Sequence, residues 1–326
     1  FIHPALVCLY LPSHRKVPHA LQFSNLKSGW KVATGLDLKE GAYRAESYDH
    51  LIDCPFEVSD FGSVEFSHAG ATYQIVVDDR RDSFAMEDLK KIVQRVVVYQ
   101  VGLMRRVPFD RFVFIYHIGE RGGGGMEHRN STAMELSRSR VELDISSAAG
   151  LTAHEFFHLW NVKQIRPAAF DEVDLSRETY TPSLWFVEGT TSYYGLLTLV
   201  RTGLIDEKAF YARLVDQMRR LQSRSGRLIQ SLQQSSIETW FDKYPYYRLP
   251  DNSISYYNKG SLVSLLLDLR IRHVTENRRS LDDVIRLMNV WFGERNKGFE
   301  ESDIQRAVES LTQMSFEDFF SAYVEG

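Results

Sequence analysis

Cysteine is nearly missing from this chain: 326 residues carry two, Cys8 and Cys54. That excludes a disulfide framework, and the pair is expected as two buried free thiols. No apolar run approaches the ~20 residues that span a bilayer, so no membrane span is expected. An excess of positive charge is lacking too. Lys and Arg total 39 against 43 Asp and Glu, a net charge of −4. Nucleic acid is therefore not expected as the main partner, because neutralising phosphates needs a basic surface. The opening FIHPALVCLYLPSH has neither a basic n-region nor a small-residue cleavage site, so no signal peptide is expected within the chain. The compartment stays open, cytoplasmic or periplasmic. Low-complexity sequence is absent apart from four glycines at 122–125. What remains is ordinary for a soluble protein: 44% hydrophobic and 25% charged residues, enough for one large domain or two of usual size.

Residues 1–80 read as β-rich, with the short runs ALVCLYL, YQIVV and VEFS set between Gly, Pro, Asn and Asp. From Ser83, expected as an N-cap, FAMEDLKKIVQRVVVYQV has helical apolar spacing and stops at Gly102. RFVFIYHI at 111–118 reads as a strand, and 132–145 as a strand pair or edge strand. After Ser146 the chain reads mainly as helix, over 148–163, 184–201, 207–223, 260–275, 281–293, 303–311 and 316–324, with Ser302 and Ser315 as N-caps of the last two. The expected fold class is α+β, a β-rich domain at 1–80 followed by a small mixed sheet and a helical half at 81–326.

The chemistry concentrates in LTAHEFFHLWN. Residues four apart share a helix face, so His154 and His158 can offer two imidazole nitrogens to one Zn²⁺. Glu155 is turned about 100° around the helix, close enough to take a proton from water at the metal without being a ligand. The bland alternative is a surface helix with two stacked histidines. Phe156, Phe157, Leu159 and Trp160 argue against it, because a helix apolar on nearly all sides is buried, and buried His and Glu need partners. A catalytic zinc takes three protein ligands. Glu188, in the apolar segment LWFVEGTTSYYGLLTLV, is the expected third, the alternative being a buried structural Glu bonded to backbone or Tyr. Asp171, Glu172 and Asp174 are nearer in sequence but sit in a polar loop.

Two further segments bear on substrate. In GGGGMEHRNST, Gly124 and Gly125 permit close backbone approach, and Glu127 could hold a free α-ammonium, although such turns often carry a solvated Glu. In SISYYNKGSLVSLLLDLRIR, Tyr257 precedes the helix expected from Gly260. A phenol there could hydrogen-bond an oxyanion, or simply be a boundary tyrosine.

Together these segments resemble the glycyl aminopeptidase family of gluzincin metallopeptidases, whose members typically carry a PDZ domain after the catalytic domain. The resemblance is carried by HEFFHLWNVKQIRP at 154–167, LWFVEGTTSYY at 184–194, GGMEHRNST at 124–132 and SYYNKG at 255–260. GWKVATGL, ESYDHLIDCPFEV and VPFDRFVFIYH support it. It implies a thermolysin-like catalytic fold and one zinc ion on His154, His158 and Glu188, with Glu155 as general base and acid. The substrates implied are peptides, preferably with Gly or Ala first. GGMEH resembles the Gly-x-Met-Glu-Asn element of the broader aminopeptidase group, which implies that Glu127 holds the substrate amine. The Tyr-x-Lys-Gly element likewise implies Tyr257 as oxyanion donor. His128 departs from that pattern, standing where the group has Asn. No PDZ-like segment follows the final YVEG and the start reads as mid-domain, so a piece of a longer protein is expected. The rival functions are a zinc endopeptidase and a non-catalytic peptide-binding module. The oligomeric state is open.

Overall fold

A computed structural model describes residues 1–79, 81–242 and 249–326. By internal packing the chain divides into two units, Phe1–Leu159 and Trp160–Gly326.

The first unit starts with five short strands. β1 (His19–Leu21), β3 (Asp37–Lys39) and β4 (Ala42–Ala45) form one sheet in the order β1-β4-β3, and β2 (Lys31–Thr34) pairs with β5 (Phe56–Ser59). Leu36, Tyr48, Leu51, Cys54 and Phe56 pack as their core. Five longer strands follow: β6 (Gly62–His68), β7 (Ala71–Asp78), β8 (Arg111–Gly119), β9 (Gly124–Glu127) and β10 (Ser131–Ser137). They build a mixed sheet in the order β6-β7-β8-β10-β9, in which β7, β8 and β10 are parallel and both outer strands antiparallel. Arg111 joins the two strand groups, its guanidinium donating to the carbonyls of Thr34 and Leu36 at 2.9 and 2.8 Å.

One face of the mixed sheet carries helices α1 (Met86–Met104) and α2 (Ala149–Phe157). Alternation along β8 sends Phe112, Phe114 and Tyr116 toward that face. There Phe156 of α2 packs against Phe112 and Phe114 at centroid distances of 5.1 and 5.4 Å. All four rings are buried. Burying a large side chain of this kind contributes about 1.5–3 kcal/mol.

The second unit is helical: a π-helical turn (Trp185–Thr190) running into α3 (Thr191–Arg201), then α4 (Glu207–Gln222), α5 (Tyr256–Val274), α6 (Leu281–Trp291) and α7 (Ser302–Thr312). The α+β class stands. No described helix is long and apolar enough to cross a membrane.

Local details differ from the sequence reading. The segment expected as strand over 132–145 is β10 followed by a short helix, Arg138–Leu143. Ser83 caps nothing: its hydroxyl accepts from Arg138 at 2.6 Å, and Ala85 holds the N-cap of α1. Ser302 is the first residue of α7, whose N-cap is Glu301, and Phe316 rather than Ser315 is the N-cap of the last helix. Both cysteines are free, but only Cys54 is buried, Cys8 being half-exposed.

Candidate active site

Helix α2 is fixed from two sides. Gln100 of α1 donates to the carbonyl of Ala153 at 2.7 Å, and the Thr152 hydroxyl pairs with Tyr116 of β8 at 2.8 Å. Phe156 packs on the sheet, and the last turn of the helix presents the polar trio. His154 is half-buried, while Glu155 and His158 are buried at 5% and 1% exposure. The Nε2 atoms of His154 and His158 lie 3.0 Å apart, with the rings edge to face. Two nitrogens each ~2.0–2.1 Å from a tetrahedral ion stand about 3.3 Å apart. The imidazole pair therefore fits a shared divalent ion after a shift of a few tenths of an ångström.

β9 is the edge strand of the sheet, and its geometry explains the glycine run. Gly122 and Gly123 have φ of +46° and +131°, a backbone that side chains disfavour. They turn the chain so that Gly123 donates to the carbonyl of Glu135 at 2.8 Å and β9 folds back along β10. Gly124 and Met126 point to one face of the sheet, Gly125 and Glu127 to the other, where α2 lies. Ligand-type oxygens of Glu127 and Glu155 and a ring nitrogen of His158 all lie within 4.8 Å of one another. A groove of about 610 Å³ lined by His3, His117, Gly124, Met126 and Glu135 opens on the opposite face, away from this cluster.

His128, the departure from the family pattern, is 3% exposed and does not face the Glu127 side of the strand. Its Nδ1 lies 3.2 Å from Asp53 Oδ1, and the backbone N–H of Arg129 donates to Asp53 Oδ2 at 2.9 Å. Asn130 donates to the carbonyl of Gly35 at 2.8 Å. The β9–β10 turn is thus clasped by the strand-rich N-terminal residues, and Glu127 sits at the end of a held hairpin.

In the second unit Glu188 lies on the π-helical turn, half-buried among the buried residues Trp185, Phe186, Val187 and Gly189. That turn is braced by Asn161, three residues after His158 in sequence. Its Nδ2 donates to the carbonyl of Phe186 at 2.9 Å and to the hydroxyl of Thr191 at 3.2 Å. The hydroxyl of Thr191 in turn donates to the carbonyl of Val187 at 2.6 Å. Sequence reasoning missed Asn161, because an Asn after an apolar run gives no sign of the backbone it will reach. Nor does spacing show that Gly189 crosses Gly260 of α5. A Cβ built on Gly189 would lie 2.6 Å from the Gly260 backbone, and one on Gly260 would lie 2.6 Å from the carbonyl oxygen of Trp185. Glu188 and Tyr257 are each a few residues from this crossing.

Tyr257 is half-buried and stacks on Tyr256 at 4.8 Å between centroids. Helix α5 begins four residues before the expected Gly260, because Ser255 caps it by accepting from the backbone N–H of Asn258 at 3.2 Å. Tyr257 therefore lies in the first helical turn rather than ahead of it. Burial holds the Lys259 ammonium below its usual pKa.

Residues 147–263 match the sequence model of the M61 glycyl aminopeptidases, and residues 1–60 match that of the M61 N-terminal domain. No curated protein sequence matches the chain. Among solved structures it is similar to a crystal structure described as an aminopeptidase N family protein from Idiomarina loihiensis, at 30% identity and a TM-score of 0.93. The match covers 98% of this chain and 57% of the other, so the chain spans little more than half the length of that relative.

Proposed function

Because the chain belongs to the M61 glycyl aminopeptidase family, we propose that it is a zinc-dependent aminopeptidase releasing small N-terminal residues, Gly or Ala, from peptides. The observation that carries this reading is the imidazole pair of His154 and His158, Nε2 to Nε2 at 3.0 Å, with the buried Glu155 between them in sequence.

In this reading His154, His158 and Glu188 hold the ion. Support for Glu188 comes from its chemistry, a carboxylate on a braced turn of otherwise buried residues, and from the family pattern. Zinc, when bound, supplies a Lewis acid that polarises a carbonyl and acidifies water to a pKa near 7. Glu155 takes the proton of the attacking water and passes it to the departing amine. Tyr257 donates its phenol hydrogen to the oxyanion. Glu127 accepts hydrogen bonds from the substrate's α-ammonium, a charge-assisted contact that favours cleavage at a chain end. The outer edge of β9 offers backbone groups to an extended peptide, with Gly124 and Gly125 leaving room for close approach.

The nearness of Glu127 to Glu155 and His158 favours an exopeptidase over an endopeptidase, because an ammonium held there keeps the first peptide bond beside the base. The test compares a glycyl or alanyl peptide with the same peptide acetylated at its amine. Cleavage of the free form alone supports the aminopeptidase. Equal cleavage of both would make it an endopeptidase, and cleavage of neither, with metal bound, a binding module.

A further inference from the structure

Strand β9 and helix α2 approach each other with no side chain on the strand's part at one point, Gly125. A Cβ built there would lie 2.6 Å from Glu155 Cγ and closer still to its Cδ and Oε1, inside any real contact. The neighbouring Gly124 has nothing within 4 Å of the same built atom. Neither glycine has a positive φ, so neither is required by backbone conformation. Space alone separates them.

We propose that Gly125 is the positioning residue for Glu155. Its missing side chain leaves a slot against the edge strand, and the Glu155 carboxylate occupies that slot. The strand on which a peptide would pair thereby also fixes the height of the base above it. This inference rests on the assignment of Glu155 as general base. It also gives Gly125 a role that substrate approach alone does not, since an approach role would apply equally to Gly124.

The nature of the clash makes the inference testable. The atoms in the way are the far end of a flexible side chain rather than backbone, so a methyl at 125 displaces Glu155 instead of unfolding the strand. A misplacement of about 1 Å costs roughly 10²-fold in rate. The experiment compares G125A and G124A in the intact chain, with E155Q alongside.

For G125A the expected result is a kcat lower by about 10²-fold with KM little changed, and metal content and melting temperature as in the parent. A crystal structure of metal-free G125A should show the Glu155 side chain turned away from β9. In metal-free G124A, where the added methyl meets no atom of Glu155, the Glu155 side chain should stay where it is in the parent.

The proposal is overturned if G125A keeps its kcat with E155Q inactive, or if Glu155 is displaced as far in G124A as in G125A. It is also overturned if Glu155 has not moved in the G125A structure. An active E155Q would instead remove the base assignment itself, which separates failure of that reading from failure of the positioning role.

Discussion

His154 and His158 bring their Nε2 atoms to 3.0 Å across one helical turn, a spacing at which the pair shares a proton or a cation. With His158 at 1% exposure, two unshared lone pairs there would be costly. Replacing either histidine by alanine should abolish stoichiometric metal binding, and Glu188→Ala should weaken it by several orders of magnitude. Metal analysis after dialysis reads both. Retention of bound metal in His154→Ala/His158→Ala would place the ion elsewhere.

In this account Glu155 separates binding from turnover. Glu155→Gln keeps the shape and the hydrogen-bonding capacity but cannot take a proton. Metal content should stay at the parent level while kcat falls by about 10²–10⁴-fold, the range for a general base. Paired metal analysis and peptide hydrolysis check this, and undiminished turnover would refute the role.

Tyr257 acts, in this account, only once charge develops on the carbonyl oxygen. Tyr257→Phe removes the donor and keeps the ring stacked on Tyr256. A kcat reduced by about 10²–10³-fold with KM nearly constant is expected. A rise in KM alone would assign Tyr257 to substrate binding instead.

Asp79 and Arg138 form a pair away from the site, with side-chain exposures of 6% and 9% and a 2.7 Å hydrogen bond. Burial alone would raise the Asp79 pKa. The hydrogen bond from Arg138, with the N–H groups of Ser83 and Arg81, outweighs burial and holds it below the ordinary 3.8. A depressed folded-state pKa means stability that is present above 3.8 and lost as pH falls through the folded value. Asp79→Asn should therefore destabilise the fold near neutral pH, with the deficit shrinking below pH ~3.8. Denaturant unfolding at several pH values measures it, and a deficit independent of pH would contradict the charge-based explanation.

Much of this was legible because the helical signals are long and periodic. The apolar run around His154 predicts a buried helix, and Phe156, Phe157, Leu159 and Trp160 are indeed buried. β9 was harder, since four residues beginning Gly-Gly carry no alternation. The main sheet also draws β6 and β7 from before the composition shift near residue 80 and β8 from after it, and pairing at that separation leaves no local mark. Local chemistry misled at Ser83, whose hydroxyl serves a tertiary partner, Arg138, instead of the nearby helix. The residues that brace the Glu188 turn, Asn161 and the Gly189–Gly260 crossing, act through backbone atoms that no spacing rule connects.

The most direct test of the central claim is hydrolysis of a glycyl or alanyl substrate by the chain before and after its metal is removed by chelation. The account predicts that activity disappears with the metal and returns on adding about one equivalent of zinc. Undiminished hydrolysis by the metal-free chain would contradict it.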